Sequence, residues 1–207
     1  MSVNIKYKNN SIAELSDTGT KTLKTAGKYC EDDITVEYAK PAGGGGATEP
    51  YIEEVYNSNG DLIDVTFHGY TVIRAYLFNG CKFLTLTSLP SEIAKIGAYA
   101  FSGCKNIALT EIPPLVTKIS DYTFSYCNKL AITRIPSGVL NIFQYAFQGC
   151  SGLSTITFEG TPTFIHSNAF SQCTNLTTIN VPWAEGDVEN APWGATNATI
   201  NYNYTGA

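Results

Sequence analysis

The chain has 207 residues, of which 43% are hydrophobic and 15% charged, and its formal net charge is -5. This apolar content is enough for a packed core and excludes a chain disordered throughout. Basic residues gather on no one stretch, so nucleic-acid binding has no electrostatic footprint, and no apolar run approaches the roughly 18 residues of a membrane span.

Residues 1–40 read as a small β module. Val3 to Lys8, then Asn9-Asn10, then Ser11 to Leu15 form a hairpin pattern. Thr20 to Lys28 and Asp33 to Tyr38 supply two further strands. Below roughly 40 residues few chains fold alone, so this module is expected to dock on another structural protein or to oligomerise. The opening stretch, Met1 to Lys8, lacks the basic flank and apolar segment of a signal peptide, which reads as a chain made without Sec-type export. Residues 41–50, Pro-Ala-Gly-Gly-Gly-Gly-Ala-Thr-Glu-Pro, form a Gly-rich flexible linker. No Lys-Ser or Lys-Thr follows its glycines, so it is not read as a phosphate-binding loop.

The remainder, 51–207, is governed by a period of 23 residues. Cys81, Cys104, Cys127, Cys150 and Cys173 mark it. Phe78, Phe101, Phe124, Phe147 and Phe170 precede them by three positions, and Leu84, Ile107, Leu130, Leu153 and Leu176 follow by three. Ile73, Ile96, Ile119, Ile142 and Ile165 form a fourth ladder. Leu89, Ile112, Ile135, Phe158 and Val181 form a fifth. A repeat of this length cannot bury its apolar face alone; stacked turns of chain, here called rungs, cover one another, so the period predicts a solenoid.

Within each rung the segment after the Cys is β-rich, as in Leu153 to Phe158 and Leu176 to Val181. Successive rungs therefore predict a parallel β-sheet, with strands about 4.8 Å apart. Pro90, Pro113, Pro136 and Pro182 stop the strands. The Tyr-Ala-Phe-Ser-Gly-Cys type of stretch is expected to form a short helical or 3-10 turn on the opposite face. Rungs 1 and 3, with Leu84-Thr-Leu86 and Leu130-Ala-Ile132, bring the middle apolar residue one position early, which predicts a local bulge. Residues 51–68 read as an N-terminal cap resembling a degenerate rung. Residues 69–183 are five repeats, and 184–207 form a C-terminal cap in which Val188 and Trp193 fall on the Ile and Phe ladders.

Ala100-Phe101-Ser-Gly-Cys104, Ala146-Phe147-Gln-Gly-Cys150 and Ala169-Phe170-Ser-Gln-Cys173, followed by the Leu and Ile-Pro positions, resemble the BspA-type leucine-rich repeat family over about 69–183. The resemblance implies a right-handed leucine-rich-repeat solenoid used in protein or surface binding and cell adhesion. Gly19 to Val36 in the N-terminal module resembles modules of phage and prophage structural proteins, and Ala191 to Tyr202 resembles the ends of phage-associated repeat proteins.

No catalytic constellation emerges, and the chain is not read as an enzyme. His68 and His166 fit no metal-binding pattern, and no Cys-x-x-Cys is present, so neither metal nor cofactor is expected. The position of His166 carries Arg74, Gly97, Ser120 and Phe143 in the other rungs, and reads as one that tolerates any residue. Ladder cysteines read as buried, reduced core residues; Cys30 lies outside the ladder. Glu111 is an isolated acid.

Two outward ladders are candidate binding surfaces. Tyr76, Tyr99, Tyr122 and Tyr145 either stack sugars and grip a partner or simply cover the convex edge. Ser88, Glu111, Arg134, Thr157 and Asn180 share an outward strand position, either a binding surface or a solvated face, and Glu111 and Arg134 are placed to pair across rungs. Asn175-Leu-Thr, Asn197-Ala-Thr and Asn203-Tyr-Thr fit the glycosylation pattern but read as incidental. The first functional expectation is a virion-attached or phage tail-associated recognition protein that binds a host surface protein or glycan. The alternative is a BspA-like adhesin on a bacterial surface.

Overall fold

The computed structural model describes residues 3–7, 10–15 and 50–206. In the N-terminal part, β1 (Val3–Tyr7) pairs antiparallel with β2 (Asn10–Leu15). The strands expected at 20–28 and 33–38, the linker at 41–49 and Cys30 lie outside the described residues.

β3 (Tyr51–Tyr56) and β4 (Leu62–His68) form an antiparallel hairpin at the start of the solenoid. Leu62, Val65 and Phe67 are buried with the same spacing as Leu153, Ile156 and Phe158. The hairpin thereby offers the first rung the apolar face of a rung. Its link is direct: the Thr85 N–H donates to the Ile63 carbonyl, and the Phe67 ring meets Phe78 edge to face at 5.9 Å.

The five rungs build two parallel sheets rather than one. At the Ile ladder, β5 (Val72–Ile73), β6 (Lys95–Ile96), β7 (Lys118–Ile119), β9 (Asn141–Ile142) and β11 (Phe164–Ile165) pair in parallel. After the Cys, β8 (Arg134–Ile135), β10 (Thr155–Phe158), β12 (Thr178–Asn180) and β13 (Thr199–Asn201) form the second sheet. This strand wall is regular only in its C-terminal half. In the first two rungs the equivalent segments form no strand, and in rung 3 only Arg134–Ile135 does; in all three, Leu84/Leu86/Leu89, Ile107/Leu109/Ile112 and Leu130/Ile132/Ile135 bring the second inward residue one position early. A further ladder lines the core where the chain turns after Pro90, Pro113 and Pro136: Ile93, Val116 and Val139 are buried, and each donates its N–H to the carbonyl of that Pro.

The segments expected to be short helices are instead tandem β-turns; the described residues contain no helix. In rung 1, Leu77, Asn79 and Cys81 donate N–H bonds within the rung to Arg74, Tyr76 and Phe78. The intervening Tyr76, Phe78 and Gly80 donate theirs to Ala98, Ala100 and Ser102 of the next rung. Half of the donors thus leave the segment, so the i to i−4 ladder of a helix cannot form. Tyr76 and Gly80 sit at φ of 62° and 75°, which ends any right-handed helical run and suits the third position of a type II turn.

Inside, the Phe rings stack rung on rung, with centroids 5.0 to 5.7 Å apart. Trp183 and Trp193 close the C-terminal end against Phe158, at 5.2 and 6.2 Å. The Trp193 carbonyl accepts the Phe170 N–H, and its indole N–H donates to the Glu189 carbonyl.

Candidate binding surface

The cysteines belong to the core. Each free thiol reaches across a rung boundary to donate to a Phe carbonyl: Cys104 to Phe78, Cys127 to Phe101, Cys150 to Phe124 and Cys173 to Phe147, at 2.9 to 3.1 Å. The thiol therefore acts as a donor joining neighbouring rungs, a role a simple hydrophobe would not fill. Burial pushes the Cys104 and Cys173 thiols up to about 12 and raises Cys127 and Cys150 as well. A protonated, enclosed thiol is neither nucleophile nor metal ligand. Cys81 differs from these four, being disulfide-bonded.

The strand-position row is divided. Ser88, Glu111 and Arg134 are exposed. Arg134 pairs with Glu159 at 3.2 Å rather than with Glu111, because Glu159 lies just past the strand that carries Thr157, the register partner of Arg134. Both partners are exposed, so the pair contributes only about 0–1 kcal/mol. Thr157 and Asn180 are committed internally: the Asn201 amide donates to Asn180 Oδ1, and the Asn180 amide donates to Thr157 Oγ1. Asn180 is buried. At this end the row is a structural amide ladder, not a free surface.

Other polar residues prove structural in the same way. Asn106, Asn175 and Asn197 donate their side-chain amides to Lys82, Ser151 and Thr174 carbonyls of the preceding rung. The His166 position is not equally permissive in every rung: Arg74, Ser120 and Phe143 occupy it elsewhere, but at Gly97 an added Cβ would stand 2.3 Å from the Ala75 nitrogen. His166 itself accepts the Asn168 N–H at Nδ1. His68 stacks on Tyr51 at 4.2 Å beside Glu53.

The turn wall presents the Tyr row outward. Tyr76, Tyr99 and Tyr122 stack face to face at 4.8 and 4.6 Å, and Tyr145 is tilted against Tyr122 at 5.0 Å. Their backbones all lie at φ of 54° to 62°, where an L residue with a Cβ is strained. Ring stacking offsets part of that strain, at about 0.5–1.5 kcal/mol per pair. Because each inner ring face is covered by its neighbour, sugars cannot stack on Tyr99 or Tyr122. What the row offers is a rigid edge of aromatic carbons and hydroxyls. Partial burial, followed by Tyr122, Tyr76 and Asp121, raises the Tyr99 phenol, which keeps its proton at neutral pH.

Alongside this row lie two residues that the period alone did not single out. Tyr126 and Gln172 occupy the position that is Gly80, Gly103 and Gly149 in the other rungs. The signal was available as a break in a Gly ladder.

Two stacked sheets, tandem turns and an outward aromatic row define a leucine-rich-repeat solenoid, a scaffold that works through its surface. Residues 71–191 match the BspA type leucine rich repeat region in six copies, more than half of the sequence, and the chain belongs to that family. The match ends at residue 191, inside the stretch expected to form the C-terminal cap. Among solved structures, a leucine rich cell surface protein from Faecalibacterium prausnitzii A2-165 is similar, with 24% identity over 78% of this chain and a TM-score of 0.55. The chain spans 43% of that protein's length. The T. pallidum leucine rich repeat protein aligns with 22% identity over 74% of this chain and 79% of its own, with a TM-score of 0.49. Comparison with curated proteins finds no match. No helix among the described residues is long and apolar enough to cross a membrane.

Proposed function

We propose that this chain is the recognition part of a BspA-like bacterial surface protein, in which the turn wall of the solenoid contacts a protein or glycan on a cell surface. The observation that carries this reading is the outward Tyr row. Tyr supplies large, amphipathic contact area with few rotatable bonds, and rings already ordered by stacking lose little further entropy on binding. The opposite row is occupied at its C-terminal end by its own amide ladder, which leaves the turn wall as the better surface. Family membership and the likeness to a protein described as a leucine rich cell surface protein favour a bacterial surface over a virion. The virion reading draws on residues 19–36, outside the described part, and on the tail at 191–202, which here closes the solenoid.

The test is adhesion of the fluorescently labelled full chain to intact bacterial and epithelial cells. Wild type is expected to bind, and Tyr99→Ala/Tyr122→Ala to lose at least about tenfold in affinity, since buried interface tyrosines often contribute 2 kcal/mol or more. Saturable binding that the double variant leaves intact would move the interface off the turn wall. No binding to any cell type would reject surface recognition.

A further inference from the structure

The residue before each ladder Cys adopts a left-handed backbone in all five rungs: Gly80, Gly103, Tyr126, Gly149 and Gln172, at φ of 56° to 75°. Glycine takes this conformation freely, whereas Tyr and Gln are strained in it. The fold does not demand side chains here, since Gly serves in rungs 1, 2 and 4. The two exceptions are coupled. The Tyr126 hydroxyl donates to Gln172 Oε1 at 3.2 Å, spanning the rung between them.

The Tyr126 ring leans across the bare backbone of Gly149. A Cβ built on Gly149 would stand 2.5 Å from its Cδ1 and 2.7 Å from its Cε1. Part of the ring is thus seated on the rung, while 44% of the residue stays exposed and no other ring among the described residues stacks on it. This is the reverse of the Tyr76–Tyr145 row, where ring faces are spent on one another. Two amides belong to the neighbouring turns, Gln172 at the ring's hydroxyl and Gln148 bonded to Ser125, the residue before Tyr126. Gln172 is exposed, and its Oε1 is held by Tyr126. Gln148, next to Gly149, has its Oε1 held by the Ser125 hydroxyl at 3.3 Å. In each case the side-chain oxygen is engaged, and the NH₂ group remains as a pair of donors.

We propose that Tyr126, Gln148 and Gln172 form a platform for one pyranose ring of a surface glycan, the aromatic face taking the sugar's C–H face and the two amides its hydroxyls. The assignment rests on the surface-recognition reading above and gives it a ligand class. Strain kept in a backbone that glycine would relieve is a feature of functional positions. An exposed aromatic ring with amide donors on the neighbouring turns matches the two-sided chemistry of a sugar.

The experiment is saturation-transfer NMR on the full chain with chitotriose, cellotriose and lactose, each at about 10 mM, enough to detect millimolar binding. At least one probe is expected to receive magnetisation from the aromatic protons. Tyr126→Phe keeps the ring and should retain affinity within about threefold, whereas Tyr126→Gly should lose at least about tenfold. The melting temperature of Tyr126→Gly should be equal to or above wild type, because glycine removes the left-handed strain. The proposal is overturned if no probe binds, if Tyr126→Gly binds as wild type does, or if Tyr126→Gly melts several degrees lower and Tyr126→Phe loses binding equally. Cell adhesion separates the two levels. Adhesion that survives Tyr126→Gly and periodate oxidation of cell glycans removes the sugar platform but leaves surface recognition. A chain that binds a probe through Tyr126 yet adheres to no cell removes surface recognition and leaves the platform.

Discussion

On the turn wall, Phe78, Phe101, Phe124 and Phe147 each donate an N–H at 2.9 Å to the carbonyl twenty-two residues ahead. The strand wall is less constant. Thr85, Ala108 and Ala131 donate to carbonyls twenty-two residues back, but Thr157 and Glu159 donate to carbonyls twenty-four back. The solenoid absorbs that change of register between rungs 3 and 4 without disturbing the Phe stack. The period is therefore held by the turn wall, through stacked rings and Cys thiols, while the strand wall needs only apolar residues facing inward.

Substitutions on the two walls should separate them. The largest loss is expected for Phe124→Ala, which removes a fully buried ring from the middle of the stack and should cost about 3–5 kcal/mol in urea unfolding. A loss below about 1 kcal/mol would mean that the Phe stack does not hold the core. Gly97→Ala should follow, at about 3 kcal/mol, because the new Cβ meets rigid backbone at Ala75; a neutral result would show that rungs 1 and 2 can slide apart.

Cys127→Val tests the thiol as a donor. It keeps an apolar group but leaves Phe101 O with only its backbone partner, Cys104 N–H, and should cost about 1–2 kcal/mol. Alkali should act on the same wall. The folded thiols of Cys104 and Cys173 titrate near 12, above their ordinary value of 9.0. Their contribution is thus fully present below pH 9 and is lost as pH rises towards 12, with a slope of up to roughly 1.4 kcal/mol per pH unit for each thiol. Unfolding midpoints measured between pH 8 and 11 check this; a flat profile would mean the thiols ionise in place. The smallest effect belongs to the exposed strand wall, where Glu159→Gln removes the Arg134 pair and should change stability by less than about 0.5 kcal/mol.

Much of the turn wall was legible in the sequence, because a side chain buried in every rung has to recur with the period. Its conformation was not. Tyr76 and its counterparts occupy a left-handed backbone where Gly or Asn is the usual resident, so Tyr-Ala-Phe-Ser-Gly-Cys reads more readily as helix than as successive turns. The Ile-ladder sheet escaped notice because a strand of two residues shows no alternation. The Glu111–Arg134 pairing failed for a related reason: the next rung places Glu159 within reach, and a fixed repeat offset cannot show that. Of the candidate surface rows, residue positions were visible, but the faces of the rings were not. That distinction separates the closed Tyr row from the open ring of Tyr126.

Native-state amide hydrogen exchange tests most directly whether the turn wall holds the period. The N–H groups of Phe101, Phe124 and Phe147 should exchange only through global unfolding, while Thr85, Ala108 and Ala131 on the strand wall should exchange faster through local opening. Equal protection on both walls, or slower exchange on the strand wall, would contradict the division drawn between them.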